Sequence, residues 1–220
     1  KKFKKNVFDL PTAENAFTGI ALGLSISGFR PILVHHRVEF SLLSIEQIFN
    51  QISKWFFMSA GKVSVPMVIR LIVGKGWGQG PQHAQSLEAI FSHIPGLKVV
   101  SPSNAYDAKG MLISSILDPN PVIFFEHRWL HDTKSNVPKN YYKVPIGKAK
   151  KKTKGKDITI ISYSYSTLIL ALNDGKYTMD KTILFLVFVA LTLTGGWLVL
   201  RRTGNYDIDF FTKILGWILL

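Results

Sequence analysis

The sequence contains no cysteine, which removes disulfide frameworks, thiolate catalysis and cysteine-ligated zinc or iron–sulfur centres at once. Acidic residues are also scarce: 14 Asp and Glu stand against 27 Lys and Arg, a formal charge of +13 over 220 residues. Such a balance raises nucleic acid as a partner. The densest basic run, Lys148, Lys150, Lys151, Lys152, Lys154 and Lys156, argues against it, because no aromatic is interleaved and the run sits in a Gly/Thr-containing stretch between apolar segments. It reads as a solvated linker or hairpin, with anionic lipid or an acidic partner subunit as the other takers of the charge. No apolar stretch long enough for a secretory signal follows Lys1-Lys2-Phe3-Lys4-Lys5, so the expected setting of the N-terminal part is cytoplasmic.

Long hydrophobic runs are absent except for one. Residues 183–200 form 18 uncharged, mostly apolar positions bounded by Lys181 and by Arg201-Arg202. At about 1.5 Å per helical residue this barely crosses a hydrocarbon core of roughly 30 Å. The expectation is an apolar C-terminal helix and a membrane anchor, with a buried core helix as the alternative because Thr192, Thr194, Gly195 and Gly196 weaken the run.

Between these extremes, helical and extended signals alternate. Residues 13–26 carry small and apolar residues at helical spacing and stop near Gly28. Residues 31–34 read as a buried strand. Residues 41–58 read as a helix whose apolar face is Leu42, Ile45, Ile48, Phe49, Ile52 and Phe56. A strand at 66–71 leads into Gly74, Gly76, Gly78 and Gly80, where backbone can approach a ligand closely. A short helix at 86–93, a strand at 97–100, a helix at 105–117 capped by Ser103 or Asn104, and a strand at 121–125 complete the pattern. Alternation with short connections implies an α/β fold, a parallel sheet with helices on both faces, in which ligands collect at the carboxyl ends of the strands. The expected organisation is a domain over 1–150, a linker and the opening strand of another domain over 151–178, and the apolar tail over 179–220.

Two segments carry most of the chemistry. Glu14 stands at a helix start, where an acid can serve the helix macrodipole or meet a cofactor; on the residues alone both readings stay open. His83 lies in the glycine-rich loop and can stabilise charge or move a proton, although a single histidine is more often structural. His35-His36 and the group His127, His131 and Asp132 lack a convincing ligand set for metal catalysis.

Pro11 to Ala21 (Pro-Thr-Ala-Glu-Asn-Ala-Phe-Thr-Gly-Ile-Ala), Phe40-Ser41, Met58-Ser59-Ala60-Gly61, Gln82-His83-Ala84-Gln85, Pro95 to Pro102 and Asp118-Pro119-Asn120-Pro121-Val122 together resemble the beta subunit of the 2-oxo acid dehydrogenase decarboxylating component. The resemblance covers roughly residues 6–165 and lies in that family's transketolase-like, pyrimidine-binding domain. It implies thiamine diphosphate as cofactor, with Glu14 bonding a ring nitrogen of the aminopyrimidine, Phe40 packing against that ring, and His83 facing the reacting centre. It also implies potassium at Met67, Ser115, Ile116, Asp118 and Asn120, held largely by backbone oxygens. Where relatives commonly carry an acid followed by an aromatic, this chain has Val34-His35, and Leu43 stands where they often have glutamine.

The Gly-Asp-Gly segment with a following asparagine, which binds diphosphate and magnesium in such enzymes, is not in this sequence. The resemblance therefore implies an alpha subunit sharing the cofactor and carrying the magnesium, a two-alpha, two-beta hetero-tetramer, and acyl transfer to a lipoyl-bearing acyltransferase. The early strand and helix of the pattern and most of its second domain are missing, so the chain reads as truncated at both ends, as a fusion, or as a membrane-tethered variant. A transketolase or deoxyxylulose phosphate synthase fragment is the second enzyme reading. An inactive membrane-tethered interaction module is the third.

Overall fold

The computed structural model describes residues 4–76, 78–152, 158–172 and 199–202. Its centre is a four-stranded parallel sheet in the order β1-β2-β4-β3, built from β1 (Ile32–His35), β2 (Val68–Val73), β3 (Lys98–Val100) and β4 (Val122–His127). The central pair β2 and β4 is buried along nearly its whole length, as expected of parallel strands covered on both faces.

Alternation along these strands divides the core in two. Leu33, Ile69, Leu71, Ile123 and Phe125 point to one face, where Ala21 and Leu22 of α1 (Glu14–Ile26), Ile48, Ile52 and Phe91 close over them. Val68, Val122, Phe124 and Val100 point to the other, against Met111, Leu112 and Ile116 of α4 (Ala105–Leu117). Helix α4 starts as its sequence predicts: the Asn104 side-chain oxygen accepts the Asp107 N–H at 2.8 Å, leaving one fewer orphan donor at the helix start. Each fully buried Phe, Ile or Leu on these faces contributes roughly 1.5–3 kcal/mol against unfolding, before chain entropy is counted.

The expected helix over 41–58 is not one regular helix. It is a 3₁₀ segment (Val38–Ser44), a π segment (Gln47–Ile52) and a single α turn, α2 (Trp55–Met58). Serine hydroxyls draw carbonyls out of the regular ladder here, Ser41 Oγ to Val38 O and Ser53 Oγ to Phe49 O, both at 2.6 Å, and the Ser53 N–H bonds back five residues to Ile48 O at 3.1 Å. The apolar face holds for Ile48, Phe49 and Ile52 but leaves Leu42 and Phe56 partly in solvent.

After the sheet, β5 (Ile158–Ile161) pairs antiparallel with β6 (Val199–Arg202), and α5 (Ser164–Leu172) follows β5. This corrects the expectation of an apolar C-terminal helix over 183–200. Val199 and Leu200 are extended, and their backbone groups are spent on Ile160 and Ile161, a pairing that β-favouring aliphatic residues support. Residues 183–198 lie outside the described residues. Among the described residues, no helix is long and apolar enough to cross a membrane.

Candidate functional site

All four strands of the main sheet run the same way, so their carboxyl ends share one edge. Helix α1 is followed by a short turn into β1 and packs on it, so it runs back along the strand and its first residue, Glu14, comes to that carboxyl edge. The chain leaves β1 into Val38–Ser44, which carries Phe40, and leaves β2 into the segment carrying His83 in the 3₁₀ turn Pro81–His83. Three residues singled out by sequence therefore meet at one edge. The Phe40 and His83 rings touch edge to face, with centroids 5.5 Å apart. Both are half-buried, as is Glu14, so each keeps a side toward solvent or a ligand.

Beneath them lies a set of buried polar groups. His35, the last residue of β1, is 5% exposed and points to the α1 face, and its Nε2 has no hydrogen-bond partner among the described residues. Burial pushes its imidazole below the ordinary value; the nearby Glu14 carboxylate pulls it back up, and His36 pushes it down. Glu39 is also buried. Its Oε1 accepts the Gln85 N–H at 2.6 Å, and its Oε2 has no partner. Buried polar atoms without partners are uncommon in native folds, so each calls for an explanation.

The loops beside the site are braced by aromatic packing. Trp129 lies so close to Gly76 that an added Cβ would sit 2.9 Å from Trp129 Cζ2, and Gly76 has φ +94°, so a side chain there is excluded on both counts. The buried His127 ring stacks on Tyr165 of α5 with centroids 4.9 Å apart, and burial first, then His131, pushes it down to about 4. Arg70 and Glu126 form an ion pair across β2 and β4, with His131 Nε2 at 3.5 Å from the other carboxylate oxygen.

The five positions expected to hold potassium lie elsewhere. Met67 precedes β2, and Ser115, Ile116, Asp118 and Asn120 precede β4, so they occupy the amino edge. Here the Arg30 guanidinium donates from one nitrogen to Ile116 O at 2.7 Å and Asp118 O at 3.0 Å. Met67 O accepts the Val122 N–H at 3.0 Å, and Ser115 O accepts the Asp118 N–H at 3.3 Å. The Asp118 carboxylate is held by Lys98 Nζ at 2.6 Å and by Asn120. Burial pushes that carboxyl up, but the Lys98 and Asn120 bonds outweigh it and hold it below its ordinary value. Two oxygens thus converge on a cation, but the cation is the chain's own arginine, and a potassium ion would have to displace it. A shallow cavity lined by Lys98, Val99, Ser114, Asp118, Ile146 and Gly147 lies on this edge, away from Glu14 and His83.

Sequence reasoning missed Arg37 and Glu39. They stand between the expected strand at 31–34 and the expected helix at 41–58, and the available signal was two charged residues flanking Val38 on the approach to Phe40.

Comparison with known proteins agrees with this architecture. The family described as the transketolase pyrimidine binding domain matches residues 1–132. The pyruvate dehydrogenase E1 component subunit beta of Porphyra purpurea is 46% identical over 175 residues, covering 77% of this chain and 53% of that protein. The beta subunit of the acetoin:2,6-dichlorophenolindophenol oxidoreductase of Cupriavidus necator is 43% identical over 162 residues, covering 74% and 48%. The mitochondrial pyruvate dehydrogenase E1 component subunit beta of Drosophila melanogaster is 44% identical over 164 residues, covering 73% and 45%. The chain thus spans about half the length of these relatives. A solved split gene transketolase, described as an inactive beta4 tetramer, shares the fold with a TM-score of 0.53 at 19% identity, over 79% of this chain and 53% of that one. With its parallel sheet and more than half its length matched, the chain belongs to the transketolase pyrimidine-binding domain family.

Proposed function

We propose that the chain acts as the beta-type subunit of a thiamine diphosphate-dependent 2-oxo acid dehydrogenase, with residues 1–150 as its pyrimidine-binding domain and 151–178 as the linker and start of a second domain. The observation that carries this reading is the convergence of Glu14, Phe40 and His83 on one sheet edge, above two buried polar atoms, His35 Nε2 and Glu39 Oε2, that no described residue satisfies. A flat, partly polar ring suits such a place: one apolar wall, a carboxyl at its rim, and unmet donors and acceptors below.

When bound, thiamine diphosphate supplies the carbon nucleophile that decarboxylation of a 2-oxo acid requires. Glu14, half-buried at the carboxyl edge, holds or passes a proton at a ring nitrogen of the pyrimidine. Phe40 gives the ring an apolar surface and keeps water from one side of it. His83, set against Phe40, donates or accepts a proton at an imidazole nitrogen near the reacting carbon. In this reading the diphosphate and magnesium sit on an alpha subunit in a hetero-tetramer, the acyl group passes to a lipoyl-bearing acyltransferase, and the setting is cytoplasmic. Potassium at the amino edge requires Arg30 to swing out of its place.

The test is coexpression of the full chain with an alpha-type subunit, followed by calorimetric binding of thiamine diphosphate and turnover of 2-oxo acids for wild type and Glu14→Gln. Binding with turnover abolished in the variant is expected. A stable complex that binds no thiamine diphosphate overturns the reading and leaves a non-catalytic partner module.

A further inference from the structure

The segment after β1 reaches the segment after β2 at three points. Arg37, 4% exposed, donates from Nη1 to Gly74 O at 3.4 Å, where the chain leaves β2. Glu39, also buried, accepts the Gln85 N–H at 2.6 Å, two residues beyond His83. Phe40 meets the His83 ring itself. The first bond is long, and the second is short and charge-assisted, so Glu39 is the stronger tether.

Charge supports the pairing. Arg37 and Glu39 attract one another, and this attraction offsets part of the effect of burial and of Arg128, both of which push the guanidinium down. The Glu39 carboxylate has one bonded partner, the Gln85 amide, and its other oxygen is enclosed without one. A buried carboxylate is costly to maintain without several bonds. Its placement therefore calls for a reason beyond packing, and the group it orders is the backbone next to His83.

We infer that Arg37 and Glu39 form a two-point clamp on the segment between β2 and α3 (Glu88–Ser92), and that both are positioning residues fixing His83 against Phe40. The inference rests on the reading of His83 as the acid–base group. The clamp fixes two points of a glycine-rich segment by side chains from a neighbouring strand's exit, so the histidine is tied to the sheet on both sides of its turn. A displacement of about 1 Å at a reacting group can cost roughly 100-fold in rate, which is the scale such a clamp protects.

The test uses the full chain, with hydrogen exchange at the Gln85 amide and the ring resonances of isotopically labelled His83 as readouts. Glu39→Leu removes the acceptor. Glu39→Asp keeps the charge but shortens the reach by one methylene, and it decides the matter if the leucine variant fails to fold. Glu39→Gln restores a neutral acceptor at the same distance. Loss of a charge-assisted bond predicts Gln85 exchange faster by roughly tenfold or more in the first two variants, with shifted His83 resonances and unchanged protection of the β2 and β4 amides. Glu39→Gln is expected to restore most of the protection. Unchanged Gln85 exchange and unchanged His83 resonances in Glu39→Asp overturn the clamp. Turnover of the alpha–beta complex with His83→Ala tests the other reading separately: turnover intact in that variant, with Gln85 exchange still governed by Glu39, leaves the clamp standing and removes only the role of His83.

Discussion

At the amino edge of the sheet the charged side chains close on their partners, whereas at the carboxyl edge His35 and Glu39 each keep a buried atom without one among the described residues. Arg30 bridges two carbonyls, and Lys98 and Asn120 share the Asp118 carboxylate. Across the sheet, some four to six residues of strand away, His35 Nε2 and Glu39 Oε2 are enclosed without partners beside Glu14, Phe40 and His83. Both edges are cut from the same parallel sheet, so the contrast is not one of fold. In the proposed reading the contrast marks the carboxyl edge as the one that takes the ligand, in keeping with the tendency of open α/β sheets to bind at their carboxyl ends.

That contrast can be broken most sharply at Glu14. Glu14→Gln is expected to lower turnover of the alpha–beta complex by about 100-fold or more, the scale of a lost proton-transfer group, while calorimetry finds cofactor affinity changed much less. Equal losses in both would make Glu14 a binding group only.

Substitution near the amino edge is expected to change stability and leave cofactor binding alone. Gly96 approaches the backbone so closely that an added Cβ would lie 2.0 Å from Ser53 O, at φ +100°. Gly96→Ala is therefore expected to lose about 3 kcal/mol or more through backbone displacement and strain, read from denaturant midpoints. Asp118→Asn, which keeps the shape but weakens the Lys98 bond, is expected to lose about 1 kcal/mol. Thiamine diphosphate binding by the Asp118→Asn complex should match wild type; a large loss would erase the distinction between the edges.

Acid should act on both edges, through different groups. The His127 imidazole is depressed to about 4 from 6.5, so the unfolded chain binds the proton more readily. Its contribution to stability is complete above 6.5 and is lost as pH falls from there toward 4. The depressed His35 acts in the same direction. At Asp118 the depressed carboxyl contributes above its ordinary value of 3.8 and loses that contribution only as pH falls through its lower native value. His127→Phe, which keeps a ring against Tyr165, should flatten the stability profile between 6.5 and 4 and leave the more acidic limb in place. An unchanged profile would contradict this assignment.

The regular parts of the architecture were legible because their signals are local. Val68 to Val73 is apolar apart from Arg70 and runs into Gly74, Val122 to Phe125 is a continuous apolar run ended by Glu126 and His127, and Asn104 announces helix α4 three residues ahead of its bonding partner Asp107. The stretch after β1 was not legible, since Ser41 and Ser53 compete for carbonyls in a way that apolar spacing does not register. The tail misled for a related reason: an apolar run records a preference for burial and says nothing about backbone partners, and Val199 and Leu200 found theirs in β5. Of the site, Glu14, Phe40 and His83 could be picked out as residue types in a resembling pattern. Arg37 and Glu39 could not, because their importance lies in reaching Gly74 and Gln85, positions 37 and 46 residues away in sequence.

The most direct test of the two-edge account is residue-resolved hydrogen exchange of the full chain in complex with an alpha-type subunit, with and without thiamine diphosphate. The account predicts added protection at residues 14–17, 38–41 and 83–86, with none at 115–120. Protection centred on 115–120, or none at the carboxyl edge despite measurable binding, would contradict it.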